Sequence, residues 1–228
     1  MDLKAIEEYL ELLKFSGINE MVVSNNNEAS IFDYKGKSPL KKNHKLDINS
    51  LKAECLTCQK CKLSETRNKV VFGEGNPKSD LLIIGEAPGR EEDLTGHVFV
   101  GKAGQLLTKM LKAINIKRED IYIANILKCR PPENRNPAPK EVENCLPFLE
   151  KQIEIIQPKA ILLFGRVAAV NLLKIEQNLG AFRLKPFLFK NIPVFVTYHP
   201  SALLRNPSWK KNAWADLQFF QKYYESLR

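Results

Sequence analysis

Five cysteines, at positions 55, 58, 61, 129 and 145, are the residues whose type and spacing imply chemistry most directly. Cys58 and Cys61 form a C-x2-C pair, a turn that can present two thiolates to one metal centre. Cys129 and Cys145 stand far downstream as single residues and could close a four-thiolate shell. Such a shell suits zinc or an iron–sulfur cluster. A compact zinc site usually has a second C-x2-C pair, which is missing, so a larger cluster bridging separate segments fits somewhat better. Inert thiols are the bland alternative. Cys55 makes a second possible pair with Cys58, and spacing does not exclude it. The acidic, amphipathic start of the chain (Met1 to Glu8) argues against a signal peptide. A cytoplasmic location is therefore the expectation, and disulfides are not expected there.

A second group of residues gathers where short apolar runs end. Leu81–Ile84 leads into Gly85-Glu86-Ala87-Pro88-Gly89. Glycines there let backbone approach a ligand, and Pro88 stiffens the turn. The spacing is neither a dinucleotide nor a P-loop fingerprint. Ile121–Leu127 contains Asn125 and leads to Cys129-Arg130-Pro131-Pro132, and Ala160–Phe164 leads to Gly165-Arg166. Pro193–Thr197 leads to Tyr198-His199-Pro200-Ser201 and a basic, Leu-bearing stretch ending in Leu204-Arg205. A histidine can stabilise a developing anion, and Leu or Arg can wedge into a base stack. Taken singly, His199 reads as structural, Phe99 as core and Asn125 as a cap or turn. Their shared position raises them together.

The elements that must position these residues follow from periodicity. The four apolar runs alternate with helical patterns at Gly104–Asn115, Pro139–Ile156 and Arg166–Lys174, and a last helix covers Lys211–Ser226. Strands alternating with helices predict an α/β fold with a mainly parallel sheet covered on both faces. Open parallel sheets bind ligands beyond the carboxyl ends of their strands, which puts all four run ends on one rim. Residues 3–15 show helical spacing, and residues 24–46 read as a flexible linker. The expected organisation is an N-terminal helix and linker over 1–46 and a larger domain over 47–228. No apolar run is long enough to span a membrane, so no membrane partner is expected. Net charge is +9. Residues 1–50 hold seven Lys/Arg and eight Asp/Glu, so the excess lies in the remainder. A basic body points to a polyanion such as nucleic acid.

Together these motifs resemble the family 4 uracil-DNA glycosylases, the iron–sulfur type. The resemblance rests on Cys58-Gln59-Lys60-Cys61-Lys62-Leu63, Arg67, and Val71-Phe72-Gly73-Glu74-Gly75-Asn76. It continues through Gly85 to Asp93, Phe99-Val100-Gly101-Lys102-Ala103-Gly104, Asn125 to Pro132, and His199-Pro200-Ser201. It implies a three-layer α/β/α sandwich around a parallel four-stranded sheet. It also implies a structural [4Fe-4S] cluster on Cys58, Cys61, Cys129 and Cys145, with Cys55 spare. The implied activity is hydrolytic excision of uracil from single- or double-stranded DNA by a monomeric, cytoplasmic enzyme acting at the nucleoid. By position, Gly85, Glu86, Ala87, Phe99, Asn125 and His199 bind uracil, with Asn125 and His199 catalytic. Family 1 enzymes carry an Asp where this chain has Ala87, so Glu86 is expected to activate water, with Glu92 second. Glu92 could instead exclude a thymine methyl. Leu204 and Arg205 are expected to fill the gap in the duplex. Competing readings are a glycosylase for another deaminated base and a non-catalytic metal-cluster DNA-binding module.

Overall fold

The computed structural model describes residues 47–227. The helix and linker expected in residues 1–46 lie outside them. In chain order the elements are α1 (Ile48–Leu56), α2 (Leu63–Thr66), β1 (Glu74–Gly75), β2 (Leu81–Gly85), α3 (Arg90–Thr95) and α4 (Lys102–Ala113). There follow β3 (Tyr122–Asn125), α5 (Pro139–Ile156), β4 (Ala160–Phe164), α6 (Arg166–Leu173) and α7 (Leu179–Phe182). The chain ends with β5 (Phe187–Phe189), β6 (Ile192–Thr197), α8 (Pro200–Arg205) and α9 (Lys210–Ser226).

The sheet order is β1-β3-β2-β4-β6-β5. The inner strands β3, β2, β4 and β6 pair in parallel, as their apolar runs predict. The expected four strands are nevertheless a core and not the whole sheet. Antiparallel β1 pairs with β3 at one edge, and antiparallel β5 with β6 at the other.

Each inner strand is apolar on both faces, and its two-residue period splits it between two cores. Leu82, Ile84, Ala124, Ile161, Leu163 and Val196 face one core, shared with Leu51 of α1, Leu149 of α5, Leu172 of α6 and Phe182 of α7. Leu81, Ile83, Ile123, Leu162 and Phe195 face the other, with Leu107 of α4, Leu203 of α8 and Phe220 of α9. This is the α/β/α sandwich. Burying a Leu or Ile of this kind contributes about 1.5–3 kcal/mol. No helix among the described residues is long and apolar enough to cross a membrane.

Candidate active site and metal centre

A cavity of about 320 Å³ opens at the carboxyl ends of β2, β3 and β6. Its lining includes Glu86, Ala87, Phe99, Asn125, His199 and Arg205. Three of the four run ends read from the sequence therefore meet at this cavity, and Glu92 lines it too, whereas Gly165 and Arg166 after β4, and Gly85 itself, are not part of the lining. Leu204 is not part of the lining but stands 44% exposed beside Arg205.

Backbone pairing continues past the strand ends and builds the floor. Gly85 faces Asn125 in register, and the N–H groups of Ile126 and Leu127 donate to the carbonyls of Gly85 and Glu86 at 3.0 Å each. Gly85 has no room for a side chain. A Cβ there would overlap Asn125 Oδ1 and sit 2.6 Å from Phe99 Cζ. The ring and the amide thus lie flush on bare backbone. Phe99 adopts a left-handed φ of 49°. Its carbonyl fills the space a Cβ on Gly104 would need. Glu92 clasps the surrounding loops. One oxygen accepts the N–H groups of Val100 (2.8 Å) and Gly101 (2.9 Å), and the other accepts that of Gly89 (3.1 Å).

Asn125 is only 1% exposed. Its Oδ1 is buried and accepts no hydrogen bond. An orphaned buried acceptor costs about 1–3 kcal/mol, and one on a residue that lines a cavity calls for a donor from a ligand.

His199 is the N-cap of α8. Its Nδ1 accepts the N–H of Ser201 at 3.2 Å and contacts Ser201 Oγ at 2.8 Å. With Nδ1 used as an acceptor, the ring proton belongs on Nε2. Burial pushes the imidazole down to about 4, the nearby Arg205 cation adds to this, and Glu92 opposes it. The ring is therefore neutral at pH 7 and can still donate. Phe99 packs against it with centroids 5.7 Å apart. The strand end that carries it is anchored from α9. Asp216 accepts Thr197 Oγ1 at 2.9 Å, and both its oxygens accept Arg183 Nε at 2.9 Å.

The two carboxylates considered for water activation differ. Glu92 is engaged on both oxygens by backbone N–H groups, which suits a clasp. Among the described residues Glu86 makes no side-chain hydrogen bond. Burial raises its pKa above the ordinary 4.5, and Arg205 partly offsets the rise.

Sequence reasoning reached Pro131 on the facing wall but missed the rest of it, Asn134, Arg135 and Asn136. Arg135 braces it with two bonds to Glu141, at 2.9 and 2.6 Å, and Glu133 and Asn134 adopt left-handed φ values of 53° and 55°. The prolines crowded around this loop were the available signal. Ser201, which sets the His199 tautomer through its N–H, carries no signal in the sequence beyond its place in His199-Pro200-Ser201.

All five cysteines line a second cavity, together with Arg67, Lys128 and Phe148. The turn between α1 and α2 supplies Cys58 and Cys61, while Cys129 follows β3 and Cys145 lies on α5. Two N–H groups point at sulfur: Arg67 Nη1 donates to Cys129 and the Lys128 amide to Cys145, both at 3.2 Å. Burial pushes the Cys55 thiol up to about 12 and Cys145 to about 11. Burial also lowers the Lys128 ammonium to about 8. Among the described residues, no three His, Cys, Asp or Glu side chains converge closely enough to hold a single metal ion. The all-sulfur donor set and its N–H donors to sulfur fit an iron–sulfur centre.

A family model for the Uracil DNA glycosylase superfamily matches residues 72–228. The chain is 42% identical over 180 residues to a type-4 uracil-DNA glycosylase of Archaeoglobus fulgidus, covering 75% of this chain and 90% of that protein. It is 43% identical over 173 residues to one of Sulfurisphaera tokodaii, covering 72% and 79%. It is 42% identical over 190 residues to one of Saccharolobus solfataricus, covering 79% and 87%. On this match and this geometry, the chain belongs to the uracil-DNA glycosylase superfamily, among the type-4 uracil-DNA glycosylases.

Proposed function

We propose that this glycosylase flips a deoxyuridine out of DNA into the cavity at the strand ends and hydrolyses its N-glycosidic bond there. The observation that carries the reading is the buried, unpartnered Asn125 Oδ1. It offers an acceptor to uracil N3–H while the amide nitrogen donates to O4. Cytosine reverses both, because its N3 accepts and its amino group donates. Phe99 stacks on the flipped base, and the backbone of Gly85, Glu86 and Ala87 closes around it. Leu204 and Arg205, at the exposed rim, fill the space the base leaves.

As the C1′–N1 bond breaks, its electron pair passes into the uracil ring and charge grows on O2. His199 donates from Nε2 to that oxygen and keeps its proton. A neutral donor held by the backbone stabilises the anion without reorganising. Glu86 takes a proton from water, whose oxygen bonds to C1′. Glu92 holds the Phe99 loop where a thymine methyl would have to fit. Cys58, Cys61, Cys129 and Cys145 hold a [4Fe-4S] cluster, with Cys55 outside the ligand set. When bound, the cluster supplies a structural cross-link rather than redox chemistry. The unit that works is residues 47–228, and its partner is uracil-containing DNA.

Uracil release from single- and double-stranded DNA, read by alkaline strand cleavage, tests the activity. Its pH profile tests the roles. The acid limb of kcat/KM is expected to follow Glu86, which burial raises above its ordinary 4.5, and not His199, which stays neutral down to about 4. In Glu86→Gln the rate is expected to fall about 10²–10⁴-fold. Its residual activity should then persist down to about 4, the His199 value. A limb near 6.5 in both proteins would contradict the neutral-histidine assignment.

Iron content tests the ligand set separately. Cys55→Ser is expected to keep iron and the broad absorbance near roughly 400 nm. Cys58→Ser is expected to lose both. The reverse result would mean that Cys55, not Cys58, is the ligand.

A further inference from the structure

Lys128 is the largest of the fully enclosed side chains, only 1% exposed, and none of the roles above uses it. Its ammonium donates to the backbone carbonyl of Asn125 at 2.9 Å and to Gln152 Oε1 at 2.6 Å, and it faces the Phe72 ring 6.0 Å from the centroid. Gln152, itself 0% exposed, is held in turn by donating to the Phe72 carbonyl at 3.0 Å. No carboxylate among the described residues pairs with this cation. A buried charge without a counter-ion is strongly disfavoured, so something else must balance it.

The other surroundings are sulfur. Lys128 lines the cysteine cavity together with Cys55, Cys58, Cys61, Cys129 and Cys145. Its own amide donates to Cys145, and its carbonyl accepts the Val71 N–H at 2.8 Å. The residue is therefore bonded at one end to a metal-ligand sulfur and at the other to the peptide that carries the uracil-reading amide. Lys128 follows Asn125 by only three positions.

We infer that Lys128 is a positioning residue that couples the metal centre to uracil reading: the centre's thiolates are its counter-charge, and its ammonium fixes the Asn125 carbonyl. This inference rests on Asn125 reading uracil and on a cluster being bound. The thiolates of an iron–sulfur cluster supply the negative charge the pocket otherwise lacks. With that charge present the ammonium stays in place and the Asn125 peptide cannot rotate. Without it, a buried cation would be driven out towards water and the carbonyl would be released. The cluster then does more than hold the fold together, since it holds one carbonyl in the active site through one side chain.

The test uses the iron-loaded protein with free uracil as the probe. Lys128→Met, close in volume and uncharged, is expected to weaken uracil inhibition and to shed its 400-nm absorbance to a chelator faster, each by about 10–100-fold, as for other partners behind a metal ligand. Wild-type uracil affinity in a fully loaded Lys128→Met would overturn the inference, because a filler residue would change stability alone. A second measurement covers the case in which that variant does not load iron. The ¹⁵Nζ resonance of Lys128 in wild type, assigned with Lys128→Arg, is expected to shift when uracil saturates the pocket. An unmoved resonance with uracil bound overturns the coupling and leaves the pocket reading intact. Failure of wild type to bind uracil at all overturns the pocket reading, and the coupling with it.

Discussion

Asn125→Ala is expected to lower kcat/KM for uracil release by about three to four orders of magnitude. A site built around a buried polar pair discriminates by about 10⁴–10⁵ when the pairing is lost, because the remaining partners are left unpaired in a dry cavity. Here the loss falls on the substrate. Uracil N3–H and O4 would enter a pocket that offers them nothing, while Phe99 would still stack and His199 would still donate. The protein itself should not suffer, since Asn125 Oδ1 accepts no bond in the folded chain. Its backbone carbonyl, which Lys128 holds, is unchanged by the substitution. Single-turnover uracil release on single-stranded DNA, together with iron content and Tm, checks this. A variant within tenfold of wild type would show that uracil is read elsewhere.

The second large effect is expected from adding a single methyl group. Gly85→Ala puts a Cβ 2.6 Å from the Phe99 ring and into Asn125 Oδ1. Neither neighbour can yield cheaply. Phe99 is held by its left-handed backbone and by α4 pressing on its carbonyl, and Asn125 by its pairing with Gly85 itself. Overpacking of this kind costs about 1–3 kcal/mol, a Tm fall of about 2–12 °C for a domain of this size. The catalytic effect should be larger, about 10²–10³-fold, because both base-contacting groups move by an appreciable part of an ångström. Gly180→Ala is the control. The nearest atom to its Cβ is Asn178 Oδ1 at 3.4 Å, so it should leave both rate and Tm near wild type. Equal behaviour of the two variants would remove the steric argument.

Much of this was legible in the sequence, for identifiable reasons. The four inner strands read as near-continuous apolar runs because both of their faces are buried. The edge strands were not legible. Glu74–Gly75 is too short to show a period. β5 returns to β6 through Lys190 and Asn191, both at positive φ (48° and 67°). That is the geometry of a primed turn without the glycine that usually announces it. Asn125 and His199 were found because strand ends in a parallel sheet converge. The clasp of Glu92, the wall from Asn134 to Asn136 and the Lys128–Gln152 pair were not. Their partners are backbone atoms, or side chains such as Gln152 that lie 24 positions away, and neither leaves a trace in spacing. The cysteine spacing pointed to a metal centre, whereas the choice of iron came from the family resemblance and not from spacing.

The Glu92 clasp has a consequence for where the entropy of binding falls. Three backbone N–H groups, from Gly89, Val100 and Gly101, converge on one carboxylate and lock the loop that carries Phe99. A pocket fixed in this way has little conformational freedom left to lose when a base arrives. The ordering cost of the encounter then belongs almost wholly to the nucleic acid, which must unstack and rotate one nucleotide. Discrimination thus begins outside the cavity, in how readily each stretch of DNA gives up a base to a receptor that is already in its final shape.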